Sequence, residues 1–313
     1  MTSLSKSPRR GLFLGFMLSF FGAVIFSTKA IIIKKAFRSS SSADALTLLM
    51  LRMAFAFPFY IAAAWLDRRK GAYVRMTPGQ WAWVAVLGLL GYHISSFFDF
   101  VGLQFISAGL ERLILFLYPS FAVIINAVAF KQRMSKAQML ALVLTYAGIG
   151  IAYFGELKID TSNPNFFYGS FLIFLCAVTY AFYLSGTGQM VKVMAPSKFT
   201  THSMLVATGG IFVHFLMRGW VSGNFHVPAA GEHALWIYAV MLAIVATVIP
   251  SFMLTAGMKR IGANNAAIVT SIGPVSTILQ AHFVLGEPIF FEQVLGTVLV
   301  IAGVLLIGWR SAR

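Results

Sequence analysis

Acidic residues are scarce in this sequence. Of 313 residues only nine are Asp or Glu, against 24 Lys and Arg, and charged residues together make up 11%, where a soluble domain carries roughly 25%. Cysteine is nearly absent. Cys176 stands alone in an apolar run, which excludes a disulfide framework or a Cys-based metal site and leaves it as packing. The sequence has no Walker loop, so this chain cannot itself drive pumping with ATP, and it lacks HExxH, CxxC and GxSxG. "GLLG" and "GTGQ" are not phosphate loops. Nothing here calls for an enzyme, a cofactor or a metal.

Apolar residues dominate, at 59% of the chain. The composition is that of a membrane protein. The net charge of +15 reflects missing acids, and the cations sit in short segments between apolar runs. They therefore report topology, and a nucleic-acid partner is set aside. Lys6, Arg9 and Arg10 precede an apolar stretch like a signal-peptide n-region. That stretch is too long for an h-region and lacks a small-residue cleavage site, so it reads as a retained first transmembrane helix.

A bilayer core of roughly 30 Å needs about 20 helical residues. Apolar runs of that length fall at 11–33, 44–66, 80–101, 107–130, 136–155, 167–188, 199–219, 234–256, 262–285 and 289–309. The segments between them are too short for a soluble domain. The predicted fold class is an all-α integral membrane protein of ten transmembrane helices. Of the 24 Lys and Arg, Lys29, Arg52 and Arg112 lie inside spans. With the N-terminus inside, 16 of the remaining 21 are cytoplasmic; Lys34, Lys35, Arg38, Lys158 and Arg218 face outward. This satisfies the positive-inside rule with N-in and C-in topology, although the basic first outer loop "KKAFRSSSSAD" runs against it.

The chain also repeats itself. A shift of 155 residues aligns Trp81 with Trp236, Ser96–Phe97 with Ser251–Phe252, Gly102 with Gly257, Pro119 with Pro274, and Ala147–Gly148 with Ala302–Gly303. The two halves, 11–155 and 167–309, hold five helices each. Because five is odd, the second half enters the membrane from the opposite side, which gives the inverted-topology repeat used by transporters.

The five-plus-five repeat, the central prolines of "LFLYPSFAVII" and "TSIGPVSTILQ", the "LGEP" after the ninth helix and "GTVLVIAGVLLI" in the tenth carry a resemblance. The chain resembles the EamA-like members of the drug/metabolite transporter superfamily. "FSTKAIIIKKAF" and "GLERLILFLYP" look like one branch of it. The resemblance implies a ten-helix permease of the bacterial inner membrane, in a family made up mostly of exporters of amino acids and other small metabolites. It also implies a central cavity drawn from helices one, three, four, six, eight and nine. Candidate wall residues are Ser27, His93, Tyr118, Pro119, Tyr180, Tyr183, Ser251, Thr270, Ser271 and Pro274. One departure is that Glu287 has Gln132, not an acid, at its repeat position.

A helical rise of about 1.5 Å per residue places Lys29, Arg52, Asp99, Glu111 and Arg112 in one layer near the outer face. A charge costs roughly 2.5–3.5 kcal/mol at the bilayer centre, so these groups should face protein or water. The expected pairs are Glu111 with Lys29 or Arg52, and Arg112 with Asp99 or a lipid phosphate. The layer could be a structural lock, a gate that meets the charged end of a substrate, or a proton site at Asp99 or Glu111. The second half lacks it, with Ala266, Ala267, Leu254 and Tyr183 at the matching positions. Gly148 and Gly303 read as close helix packing.

The expected activity is secondary transport of a small metabolite, outward, by alternating access. The chain would work as monomer or homodimer, with a proton open as coupling ion. The alternative is a membrane-embedded lipid-handling protein, either a flippase or a lipid-modifying enzyme. Reporter fusions at residues 40 and 160 should both read as external. A cytoplasmic signal at either would overturn the topology.

Overall fold

The computed structural model describes residues 8–40, 43–69, 76–129, 131, 136–157, 164–190, 193–225, 227–229, 231–262, 266 and 269–310. They are mostly helical, with no strand among them. The helices are α1 (Pro8–Ser39), α2 (Ala45–Arg69), α3 (Pro78–Gly102), α4 (Ala108–Ala129), α5 (Lys136–Leu157), α6 (Phe166–Met190), α7 (Pro196–Ser222) and α8 (His233–Ile261). α9 is described from Gly273–Gln280 through a π turn at Ala281–Leu285, and α10 spans Phe291–Arg310. Eight are long and apolar enough to cross a membrane; α10 adds the shorter apolar stretch Phe291–Leu306. The expected ninth span, 262–285, falls partly outside the described residues. Exposed Phe13, Trp83, Phe167 and Phe283 give the bundle an apolar outer surface, as a lipid solvent requires.

α1 extends beyond its expected end at 33 to Ser39. Lys34, Lys35 and Arg38 are thus helical residues, and the unexplained charge of the first outer loop acquires a structural role. Lys34 donates to the Ile106 carbonyl at 2.6 Å and Arg38 to the Leu285 carbonyl at 3.0 Å. Lys34 thus supplies a donor to the turn between α3 and α4, and Arg38 one to the last carbonyl of the α9 π turn. Arg218 is likewise engaged: its two terminal nitrogens meet both oxygens of Asp44 at 2.6 and 3.0 Å. Asp44 in turn accepts from Leu46 N and Thr47 N and so caps α2.

The repeat appears in the packing. α1 lies on α8 and α9, and its counterpart α6 lies on α3 and α4; α2 and α7 pack on each other, α2 also on α8 and α7 also on α3; α5 packs along α10. Exchanging each helix with the one five places on returns the same arrangement. The irregularities repeat as well. π turns at Leu89–Ile94 in α3 and Ile244–Val248 in α8 start 155 residues apart. α4 breaks at Phe116–Leu117 and the ninth helix at Ser271–Ile272, again 155 apart, each break lying just ahead of a proline, Pro119 or Pro274. Proline fits at the head of a new helical segment because its missing N–H would be unsatisfied there in any case.

The α5–α10 seam is built from small residues. A Cβ on Gly148 would lie 2.6 Å from the Gly296 carbonyl oxygen, and one on Gly303 would lie 2.7 Å from that of Ala141. These two contacts are images of each other under the 155-residue shift. Backbone therefore meets backbone, gaining dispersion contact where hydrocarbon offers no hydrophobic drive for association. Gly150, on the same helix, has nothing within 4 Å of its would-be Cβ. Overpacking typically costs about 1–3 kcal/mol. Gly148→Val should therefore lower the apparent melting temperature in detergent by several degrees, whereas Gly150→Val should leave it within about one degree. Equal losses would show that the seam is not close-packed.

Candidate functional site

Ser107 initiates α4, and four N–H groups at this head need acceptors. Leu110 N donates to Ser107 Oγ at 3.0 Å. Ser107 N and Oγ both donate to Glu156, from the end of α5, at 3.2 and 2.8 Å. Ala108 N donates to both oxygens of Glu287 at 3.1 and 3.0 Å, and Gly109 N reaches Glu287 Oε2 at 3.4 Å. Lys34 stands 3.5 Å from Glu287. Two carboxylates at a helix N-terminus also oppose its positive dipole end. Sequence reasoning noted Glu287 only as half of a missing acid pair, and it missed Glu156; an acid at the end of an apolar span was the available signal.

One turn further into the bundle lies the charged layer. Lys29 Nζ donates to Asp99 Oδ2 at 2.6 Å and stands 3.8 Å from Glu111 Oε1. All five charged residues are buried, with Glu111 at 0% exposure and Asp99 at 1%. Of the two partners weighed for Glu111, the structure selects Lys29. Arg52 donates to Ser96 Oγ at 3.2 Å and stacks over Phe100. Arg112 does not meet Asp99 among the described residues, and at 7% exposure it is not an exposed snorkelling group. Its guanidinium lies over the rings of Phe26 and Phe116, at 5.5 and 5.3 Å.

The layer borders a chain of aromatic rings. Phe116 meets Tyr118 at 5.7 Å between centroids, Tyr118 meets Tyr180 at 5.2 Å, Tyr180 meets Tyr183 at 5.7 Å, and Tyr183 meets Tyr92 at 4.9 Å. The Tyr92 and Tyr183 hydroxyls share a hydrogen bond of 2.9 Å. Tyr118, Tyr180 and Tyr183 thus come together in one ring cluster, and Tyr92 joins them from the α3 π turn. Across from them, Ser27 Oγ donates to the carbonyls of Ala23 and Gly273 at 2.9 and 3.2 Å, tying α1 to the residue before Pro274. Gln280 adds a second tie, to the Val24 carbonyl at 3.2 Å. Ser271 is buried and Thr270 half-buried, both at the α9 break.

Two candidates go elsewhere. His93 contacts His214 of α7, ring nitrogen to ring nitrogen at 3.1 Å, with Phe97 packed edge-on against His214. Ser251 shares a hydrogen bond of 3.1 Å with Tyr60 of α2. Tyr60 is fully buried and went unnoticed in the sequence. Neither His93 nor Ser251 is in a described contact with Tyr118, Tyr180 or Tyr183. No group of three or more His, Cys, Asp or Glu among the described residues is placed to hold a metal.

The model of the EamA-like transporter family matches residues 13–154 and again 167–309. Relatives include the uncharacterized transporter YcbK of Bacillus subtilis, 27% identical over 95% of this chain and 93% of its own length. Another is YyaM of the same organism, also an uncharacterized transporter, 28% identical over 70% of each chain. The WAT1-related protein At5g07050 of Arabidopsis thaliana is 24% identical over 73% of this chain and 64% of its own. A crystal structure 18% identical in sequence superposes with a TM-score of 0.62 over 93% of this chain and 97% of the other, a likeness of fold alone. With both halves matched in turn, the chain belongs to the EamA-like transporter family.

Proposed function

We propose that this member of the family is a secondary transporter that moves a small metabolite, an amino acid or related compound, outward across a bacterial inner membrane. It does so by alternating access of two inverted five-helix halves, 11–155 and 167–309, with both termini in the cytoplasm. The observation that carries the reading is the set of contacts between halves at one end of the bundle. Glu287 holds the head of α4, Arg38 holds the Leu285 carbonyl and Lys34 pairs with Glu287. Each joins the first half to the second, and opening this end would break these contacts together with the apolar packing of Ile33, Ala36, Ala108 and Leu285 beside them. Ser27, Tyr118, Pro119, Tyr180, Tyr183, Thr270, Ser271 and Pro274 are the proposed walls of the substrate path, with the charged layer as the gate above them.

A second reading, lipid handling, is favoured by one feature. A groove of about 460 Å³ opens on the α5–α10 face, lined by Ala147, Gly150, Ile151, Phe154, Gly155 and Glu292. None of its lining residues belongs to the tyrosine group or the charged layer, so the transport reading stands first.

Counterflow of labelled amino acids in proteoliposomes should be saturable; no flux across a broad panel, with scrambling of labelled lipid instead, would favour the second reading. Flux whose pH dependence survives both Asp99→Asn and Glu111→Gln would exclude a proton taken at those groups. For the gate, with Cys176→Ala as background, a Ser27→Cys reporter should react faster with an impermeant thiol reagent when Glu287→Ala is added. Equal rates would show that the Glu287 contacts are not the closure.

A further inference from the structure

The charged layer contains three cations and two acids; Asp99 is hydrogen-bonded to Lys29, and Glu111 stands 3.8 Å from it. The layer therefore carries one cation in excess, and among the described residues neither Arg52 nor Arg112 forms an ion pair. An uncompensated buried charge is expensive in any protein interior and more so at membrane depth. Arg52 at least has Ser96 and an ordered stack on Phe100. Arg112 is bounded by aromatic faces, and its buried Nε has no hydrogen-bond partner. Its Nη2 would stand 2.5 Å from a Cβ placed on Gly273, so only glycine lets the guanidinium reach that point.

Gly273 is the first residue of the helical segment that restarts after the α9 break, and no side chain caps that start. Pro274 brings no N–H to this head, which leaves the N–H groups of Gly273 and Val275 and the positive end of a helix dipole. Arg112 thus adds a full positive charge, with an unused donor, to a helix end that already favours anions. Tyr118 and Tyr180 lie within electrostatic reach of the same guanidinium, and their rings continue away from it towards Tyr183. A planar carboxylate matches the fork of an arginine.

We infer that the transported molecule carries a carboxylate, bound by Arg112 at the head of the Gly273–Gln280 segment, with its remaining body laid along the tyrosine rings. This rests on the transport reading, and it goes beyond that reading in fixing the charge of the substrate and the residue that meets it.

The test is counterflow in proteoliposomes with labelled amino acids, hydroxy acids and dicarboxylic acids, each beside its amide and, for amino acids, its decarboxylated amine. The wild-type chain should move one or more of the acids and discriminate against the matching amide or amine. Arg112→Gln should cut that acid's flux by roughly 10- to 100-fold, the range for a lost charge-assisted hydrogen bond. In parallel, the acid and not its amide should raise the melting temperature of the detergent-solubilised wild type, a readout that holds even if Arg112→Gln fails to fold. Equal transport of acid and amide, or a folded Arg112→Gln with unchanged acid flux, overturns the inference and leaves transport intact. No flux of any acid, amide or amine overturns the transport reading itself.

Discussion

Inside a bilayer a backbone N–H has no water to turn to, so every helix that starts or restarts at depth must find acceptors within the protein. The head of α4 shows how strongly that requirement organises this molecule. Its N–H groups are met by Ser107, Glu156 and Glu287, which come from α4's own start, from α5 and from the loop before α10. Satisfying one helix end thereby fixes the relative positions of elements far apart in sequence. It also brings α1 into the junction through Lys34 and Arg38. The charged layer one turn below inherits its geometry from this junction.

The restart at Gly273, whose repeat counterpart is the Phe116–Leu117 break inside α4, is treated differently from the head of α4. Its start has no side-chain cap, and the nearest charge is a cation. Acids cap the head of α4, whereas at the Ser271–Ile272 break Arg112 lies against Gly273 and the Ser27 hydroxyl of α1 donates to the Gly273 carbonyl. A symmetric scaffold can carry an asymmetric function in this way, because the repeat dictates where helices break and the side chains decide what each break binds.

Much of this was legible in the sequence. The repeat, the paired prolines and the Gly148–Gly303 relation were visible because Trp, Pro and Gly are constrained by geometry and stand out against interchangeable apolar residues. Gathering Lys29, Asp99 and Glu111 into one layer needs only helical rise, which leaves Lys29 as one of two partners in reach of Glu111. The π turns were not legible. A π turn adds a residue to the helical count, so face assignments carried through Leu89–Ile94 lose phase. His93 accordingly turns to α7, while Tyr92 joins the tyrosines. Arg112 stacking on Phe26 and Phe116 was equally hidden, since Phe26 lies on another helix and aromatic residues are common throughout.

Two of the three π turns among the described residues occupy matching places in the halves. "LLGYHI" in α3 and "IVATVI" at the matching positions of α8 agree only in their last residue, yet the backbone departs from α-helical winding at the same place in both. Side chains that could have caused the irregularity independently have little in common. The shared departure is thus a property of the backbone scaffold common to the two halves, and it accommodates side chains as different as Tyr92 and Thr247 at one position.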